Sequence, residues 1–291
     1  MIRTRIAWTV WALLPVFGLT YHFGPGQRWY SEDRASSLLD AAGAKLAVAE
    51  KAQDVAYEHH LAAFEARRAA FLSQLATDAN KAKEAGEVED ASYARASVAW
   101  KQTAEAYQKA QDVLAGVSSA KVPEVRFVRD RALIRAGDIA AGVGDLEELL
   151  EALPDDESTT SAQADLASRT REELATGYYY GARLMRLAGK PSTEWREVSG
   201  KARQNFRYLA ETAKETGASD EQVRNLQNNL ELVLNLEQSS LDELQAKPLP
   251  KNSPRGNGEG LGKKKMKGKG RRRGDDREGG AGDSGPVGAG W

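Results

Sequence analysis

An all-α fold is predicted by three features of this 291-residue chain. Between Ser31 and Lys247 the only prolines are Pro123, Pro154 and Pro191, and each falls where a helical pattern stops or starts. Apolar residues recur at three- and four-residue spacings, and no run shows the period-two alternation of a half-buried strand. Ala, Glu, Lys and Leu, all good helix formers, dominate the first long segment, and 41% hydrophobic residues suffice for a helical core. The expected order is a transmembrane segment (1–30), a long antiparallel αα-hairpin (31–118), helix-turn-helix units with a capping helix (119–246) and a disordered Gly/Lys/Arg-rich tail (247–291).

The first element reads MIRTRIAWTVWALLPVFGLTYHFGPGQRWY. Arg3 and Arg5 precede an uncharged run from Ile6 to Tyr21; continued to Phe23 it gives about 18 residues, barely enough for a hydrocarbon layer of roughly 30 Å. Trp8, Tyr21, Trp29 and Tyr30 suit the two interfaces, and Pro15 would kink the span. The small residues Gly18, Thr20, Gly24 and Gly26 sit among large neighbours, which favours a retained signal-anchor over a cleaved signal peptide. Charge at the two ends biases the N-terminus slightly toward the cytoplasm, so the body is expected outside it, periplasmic at a bacterial envelope.

The hairpin follows from two stripes. Tyr57, Leu61, Phe64, Arg68, Phe71 and Leu75 keep a four-three spacing in a helix from Arg34 to about Asn80, with Gly43 a candidate break. After a polar turn near Glu84 to Glu89, the residues Tyr93, Ala96, Trp100, Thr103, Tyr107, Ala110 and Leu114 repeat the pattern, and small residues allow close approach of the helices. His59 and His60 project about 100° apart on a helix and do not converge on one metal. With no Cys in the chain, disulfides, thiolate nucleophiles, lipoprotein anchors and zinc-thiolate sites are excluded.

Next comes RALIRAGDIAAGVGDLEELLEALP, residues 131–154. Its glycines do not cradle phosphate: they follow a helical pattern, Gly142-Val143-Gly144 lacks a third glycine, no Lys-Ser or Lys-Thr follows, and Asp145, Glu147 and Glu148 would repel an anion. Gly137-Asp138 instead supplies a helix-ending glycine and a helix-starting aspartate. The segment resembles the tetratricopeptide (TPR) repeat, with a period of about 34 residues running from Pro123 to Asp156. Gly137 stands at the family's turn, Gly142 at its small position, Leu146 and Leu149 in its second helix and Pro154 at its end; Phe127 and Leu133 stand near the places of its Trp and Tyr. A looser copy, TGYYYGARLMRLAGKPSTEW, carries Tyr178, Gly181, Ala182, Met185 and Gly189. Thr193 is its expected N-cap, and Val198, Ala202, Phe206, Leu209 and Ala213 lie on one face. Together the copies cover 123 to 216, about a third of the chain. Gly217 ends the second copy, and Ser219 to Gln222 form a capping box that opens a final helix with Val223, Leu226, Leu230, Val233, Leu236, Leu241 and Leu244, the expected cap of the array.

What the resemblance implies is a concave surface that holds peptides or proteins, with Phe127, Arg131 and Arg135 facing the groove. Residues 31–245 hold 26 basic and 37 acidic side chains, a net −11, whereas 246–291 hold 12 and 5, a net +7. The tail's dense run of Lys263, Lys264, Lys265, Lys267, Lys269, Arg271, Arg272 and Arg273 would attract anionic lipid or nucleic acid, without aromatic residues to stack bases. No Asp or Glu stands at catalytic spacing from a His, Ser or metal partner. The sequence therefore predicts no enzyme, cofactor or metal, but a membrane-anchored scaffold for an unidentified protein partner. The alternative is a tether that binds anionic polymers or a membrane surface through its basic tail.

Overall fold

Two long helices, α1 (Pro25–Ser73) and α2 (Ala76–Ala115), form the hairpin in a computed structural model that describes residues 11, 13–19, 21, 25–116, 120–154, 159–255 and 261. At 1.5 Å per residue α1 is about 73 Å long. Its buried face is a row of alanines seven residues apart, Ala35, Ala42, Ala49, Ala56 and Ala63, each at most 1% exposed. Opposite them α2 presents two more seven-residue rows, Glu89, Ala96, Thr103 and Ala110, and Tyr93, Trp100, Tyr107 and Leu114, all buried. A strict heptad keeps the seam facing the partner, and small residues on one helix make room for rings from the other. The α2 stripe read from the sequence is this seam.

Three hairpin expectations are corrected. The stripe expected on α1 is not its core face: Leu61, Arg68, Phe71 and Leu75 are exposed, because the rings of α2 pack onto alanines instead. Gly43 does not break α1. The turn is two residues at Gln74 and Leu75, with Gln74 at φ 56, and the polar stretch expected to turn lies within α2, since Lys and Glu there are good helix formers.

Helix α3 (Val122–Ala136) packs on α2, with Val125, Ala132 and Ala136 inside the hairpin's own core clusters and the Ser97 hydroxyl donating to the Ala136 carbonyl at 2.6 Å. Pro123 occupies its first turn, where no intrahelical N–H is needed. It ends in a Schellman motif: Gly137 at φ 98 donates to the Ile134 carbonyl, and Asp138 donates to that of Leu133. Asp138 precedes α4 (Ile139–Ala152), but its side chain makes no cap bond, contrary to expectation; its ψ of 59 is not that of a capping residue. Gly142 does let the helices touch, since a Cβ there would meet the Asp130 carbonyl oxygen at 2.6 Å.

The next hairpin, α5 (Ser161–Leu187) and α6 (Ser192–Glu215), is longer than the sequence suggests. A capping box of Thr160 and Gln163 starts α5 well before Thr176, where the second copy was expected to begin, and Pro191, not Thr193, is the N-cap of α6. Val198, Ala202, Phe206 and Leu209 are buried as expected. The Ser219–Gln222 capping box opens α7 (Asp220–Gln238), but a second box, Ser240 with Glu243, restarts the chain as α8 (Leu241–Gln245). Helices α1 to α7 pack chiefly on their sequence neighbours, α3 also touches α5, and α8 packs back on α5.

At the N-terminus, the described residues 11, 13–19 and 21 are helical, and Trp11, Leu13, Leu14, Val16, Phe17, Leu19 and Tyr21 are exposed. No helix among the described residues is long and apolar enough to cross a membrane, so the expected transmembrane helix is not supported; part of the 6–23 span lies outside those residues. The expected disordered tail is corrected at its start. Residues 247–255 cross the body as an irregular strap that turns at Lys251 and Asn252, where the Ser253 N–H donates to the Pro250 carbonyl at 2.9 Å, and Leu261 is buried where a Cβ on Gly181 would otherwise sit.

Candidate functional site

Phe127, Arg131 and Arg135, the residues expected to face a groove, line one cavity of about 520 Å³. Position and spacing bring them together, because residues four apart share a face of α3, and α5 supplies the opposite wall with Arg169, Glu173, Tyr179 and Tyr180. Phe127 is buried, with the Arg169 guanidinium 5.2 Å from its ring centroid. Arg169 is itself held by Glu124 at 2.6 Å and Asp165 at 2.8 Å. Arg131 faces Glu50 at 3.8 Å, and its buried Nε has no hydrogen-bond acceptor.

Arg135 is the centre of the groove. It is 8% exposed, pairs with Glu173 at 3.1 Å, lies 5.4 Å from the Tyr180 ring and donates to the Asn252 main-chain carbonyl at 2.7 Å. Burial works to lower its pKa, but the carboxylate of Glu173 and the Tyr180 hydroxyl more than offset this, so the guanidinium is held charged. Burial in turn pushes the Tyr180 phenol up, against the pull of Arg135.

The strap is held by its main chain. Gln53 donates to the carbonyls of Lys251 at 3.1 Å and Ser253 at 3.4 Å, and Arg183 donates to those of Lys247 at 3.1 Å and Pro248 at 3.2 Å. The Leu249 N–H donates to His60 Nε2 at 2.9 Å. That bond makes Nε2 the acceptor, so Nδ1 carries the proton donated to Glu89 at 2.6 Å. Glu89 is fully buried, yet hydrogen bonds from His60 and Arg67 and the charge of Arg255 outweigh burial and hold its carboxyl below the usual range. Arg255 reaches Glu89 at 2.7 Å and Asp90 at 2.9 Å; Lys251 reaches Asp54 at 2.9 Å.

No protein-family model, curated protein or solved structure matches this chain.

Gln53, His60, Glu89, Glu173 and Arg183 were missed from sequence, since each reads as a polar residue on a helix surface. One available signal was the composition of KPLPKNSPR, three prolines and no glycine, which differs from the glycine-rich run after it. His59 bonds Ser92 and His60 bonds Glu89, and no group of three potential metal ligands occurs among the described residues. The cationic run from Lys263 to Arg273 lies outside the described residues. A second cavity of about 520 Å³, between α4, α5, α6 and α7, has Leu150, Leu153, Leu209 and Leu226 in its wall together with polar residues such as Glu172 and Gln222, and Arg171 stacked 4.0 Å from the Tyr208 centroid.

Proposed function

We propose that this chain is a non-enzymatic helical scaffold, tethered at a membrane of the cell envelope, that binds a protein partner in the groove of Phe127, Arg131 and Arg135. The observation that carries this reading is the buried Arg135–Glu173 pair aimed at a main-chain carbonyl. A charged donor held by a buried carboxylate is a costly arrangement, and gripping an extended chain is a use that fits it. The helix-turn-helix succession is in keeping with a TPR-like concave surface, and the apolar run from Ile6 to Phe23 is the basis for the tether.

In-cell photo-crosslinking from a probe at Arg131 tests the reading. The expected result is one reproducible crosslinked protein, lost when Arg135 is changed to Glu; no protein-specific adduct in repeated trials overturns it. The density of positive charge between Lys263 and Arg273 favours a second reading, a polyanion-binding tether. Under that reading, removing residues 262–291 abolishes localisation and high salt mimics the loss.

A further inference from the structure

We propose that residues 247–255 are a built-in ligand of the groove, and that the partner is a proline-containing, basic segment which binds by displacing them. The proposal rests on the reading of the groove as the interaction surface and adds the chemistry of what it takes.

Four side chains on three helices, Gln53 and His60 on α1, Arg135 on α3 and Arg183 on α5, reach the strap through its main-chain atoms. Such a grip recognises the path of a backbone, here one that turns at Lys251 and Asn252, and tolerates many side chains. Pro248, Pro250 and Pro254 restrict the segment's backbone before it binds, and Pro250 opens the turn closed by the Ser253 N–H at 2.9 Å, which lowers the ordering cost. Charge sets the polarity: Lys251 meets Asp54, and Arg255 meets Glu89 and Asp90.

The strap is held without being sealed in. Ser253 and Pro254 are buried, but Lys247, Lys251, Asn252 and Arg255 are exposed, and an exposed ion pair such as Lys251–Asp54 adds little. It also leaves the groove incompletely filled. About 520 Å³ remains beside Pro250, Lys251 and Asn252, and the Arg131 Nε in its wall lacks an acceptor. A segment with a carboxylate or amide oxygen facing Arg131 would satisfy that donor, a contact the strap does not make, and so would compete with a tethered ligand.

The test uses the full chain with a specific-protease site inserted between Ala246 and Lys247, and a fluorescent peptide of residues 247–261. The nicked protein is expected to keep its helical circular dichroism and to exchange its strap for the peptide, while the intact chain binds at least tenfold more weakly. Gln53→Leu in the nicked protein should weaken the peptide at least tenfold with the fold retained. A nicked protein that unfolds, or stays folded and binds no peptide, overturns the proposal; so does exchange of straps between intact copies into a dimer, which would make a second copy the occupant. Peptide exchange without any crosslinked partner would leave this inference standing and remove the scaffold reading. A partner bound equally by intact and nicked chains would do the reverse.

Discussion

Arg135 donates to the Asn252 carbonyl at 2.7 Å across 117 residues of sequence, and the same guanidinium pairs with Glu173 at 3.1 Å. One side chain thus joins α3, α5 and the strap. Removing it would leave Glu173 without its cation and an Asn252 carbonyl without its donor.

Arg135→Ala is accordingly expected to destabilise the protein by about 3–5 kcal/mol, the cost of breaking a buried pair from one side. Arg135→Met with Glu173→Leu, which removes both charges and refills the space, should recover most of that loss. Urea denaturation of the three proteins measures both steps, and an Arg135→Ala midpoint equal to that of the parent would show that the pair is effectively solvated.

Glycines within helices should respond oppositely according to their neighbours. At Gly142 a Cβ would meet the Asp130 oxygen at 2.6 Å and Ile134 Cγ1 at 2.7 Å, whereas Gly43 and Gly86 have nothing within 4 Å. Gly142→Ala is expected to cost about 1–3 kcal/mol by forcing α3 and α4 apart. Gly43→Ala and Gly86→Ala should each add up to about 1 kcal/mol through helix propensity. Thermal melts rank the three, and a stabilised Gly142→Ala protein would contradict the close approach.

Much of this fold was legible because local signals agreed with the final packing. Gly137, Gly142 and Ser219 act as their sequence context implies. The α1 stripe was misread because an aromatic row outweighs alanine in any hydrophobicity count, yet the rings of α2 select small partners. Tyr57 and Phe64 end half-buried, and Phe71 is 81% exposed. The site was only half legible for a related reason. Phe127, Arg131 and Arg135 share a helix and follow from periodicity, but Gln53 and His60 meet the strap about 190–200 residues away, and no local pattern encodes such a contact.

His60 and the strap are linked by one bond, Leu249 N–H to Nε2. His60→Phe keeps a ring in place but removes the acceptor, so the Leu249 amide should lose hydrogen-exchange protection by roughly tenfold or more while the amides of α3 keep theirs. Equal exchange at Leu249 in both proteins would mean that the bond does not hold the strap.

Asp130 gives the last prediction its sign. It is fully buried between α3 and α4, and burial pushes its carboxyl up from 3.8 to about 7 despite Arg129 at 2.6 Å and the more distant Arg126. A folded-state pKa above the unfolded one means that the folded protein binds the proton more readily between roughly pH 4 and 7. This group's contribution to stability therefore rises as pH falls through that window, and above about pH 7 the cost of an ionised, buried carboxylate is fully present. Asp130→Asn cannot ionise, so the difference in melting temperature between it and the parent should change across pH 4 to 7 in favour of the parent at the acid end. Carboxylates such as Glu89, whose shift is opposite, affect both proteins alike and cancel in that difference. A difference that stays flat across the window would place the Asp130 carboxyl in the ordinary range, with Arg129 outweighing burial.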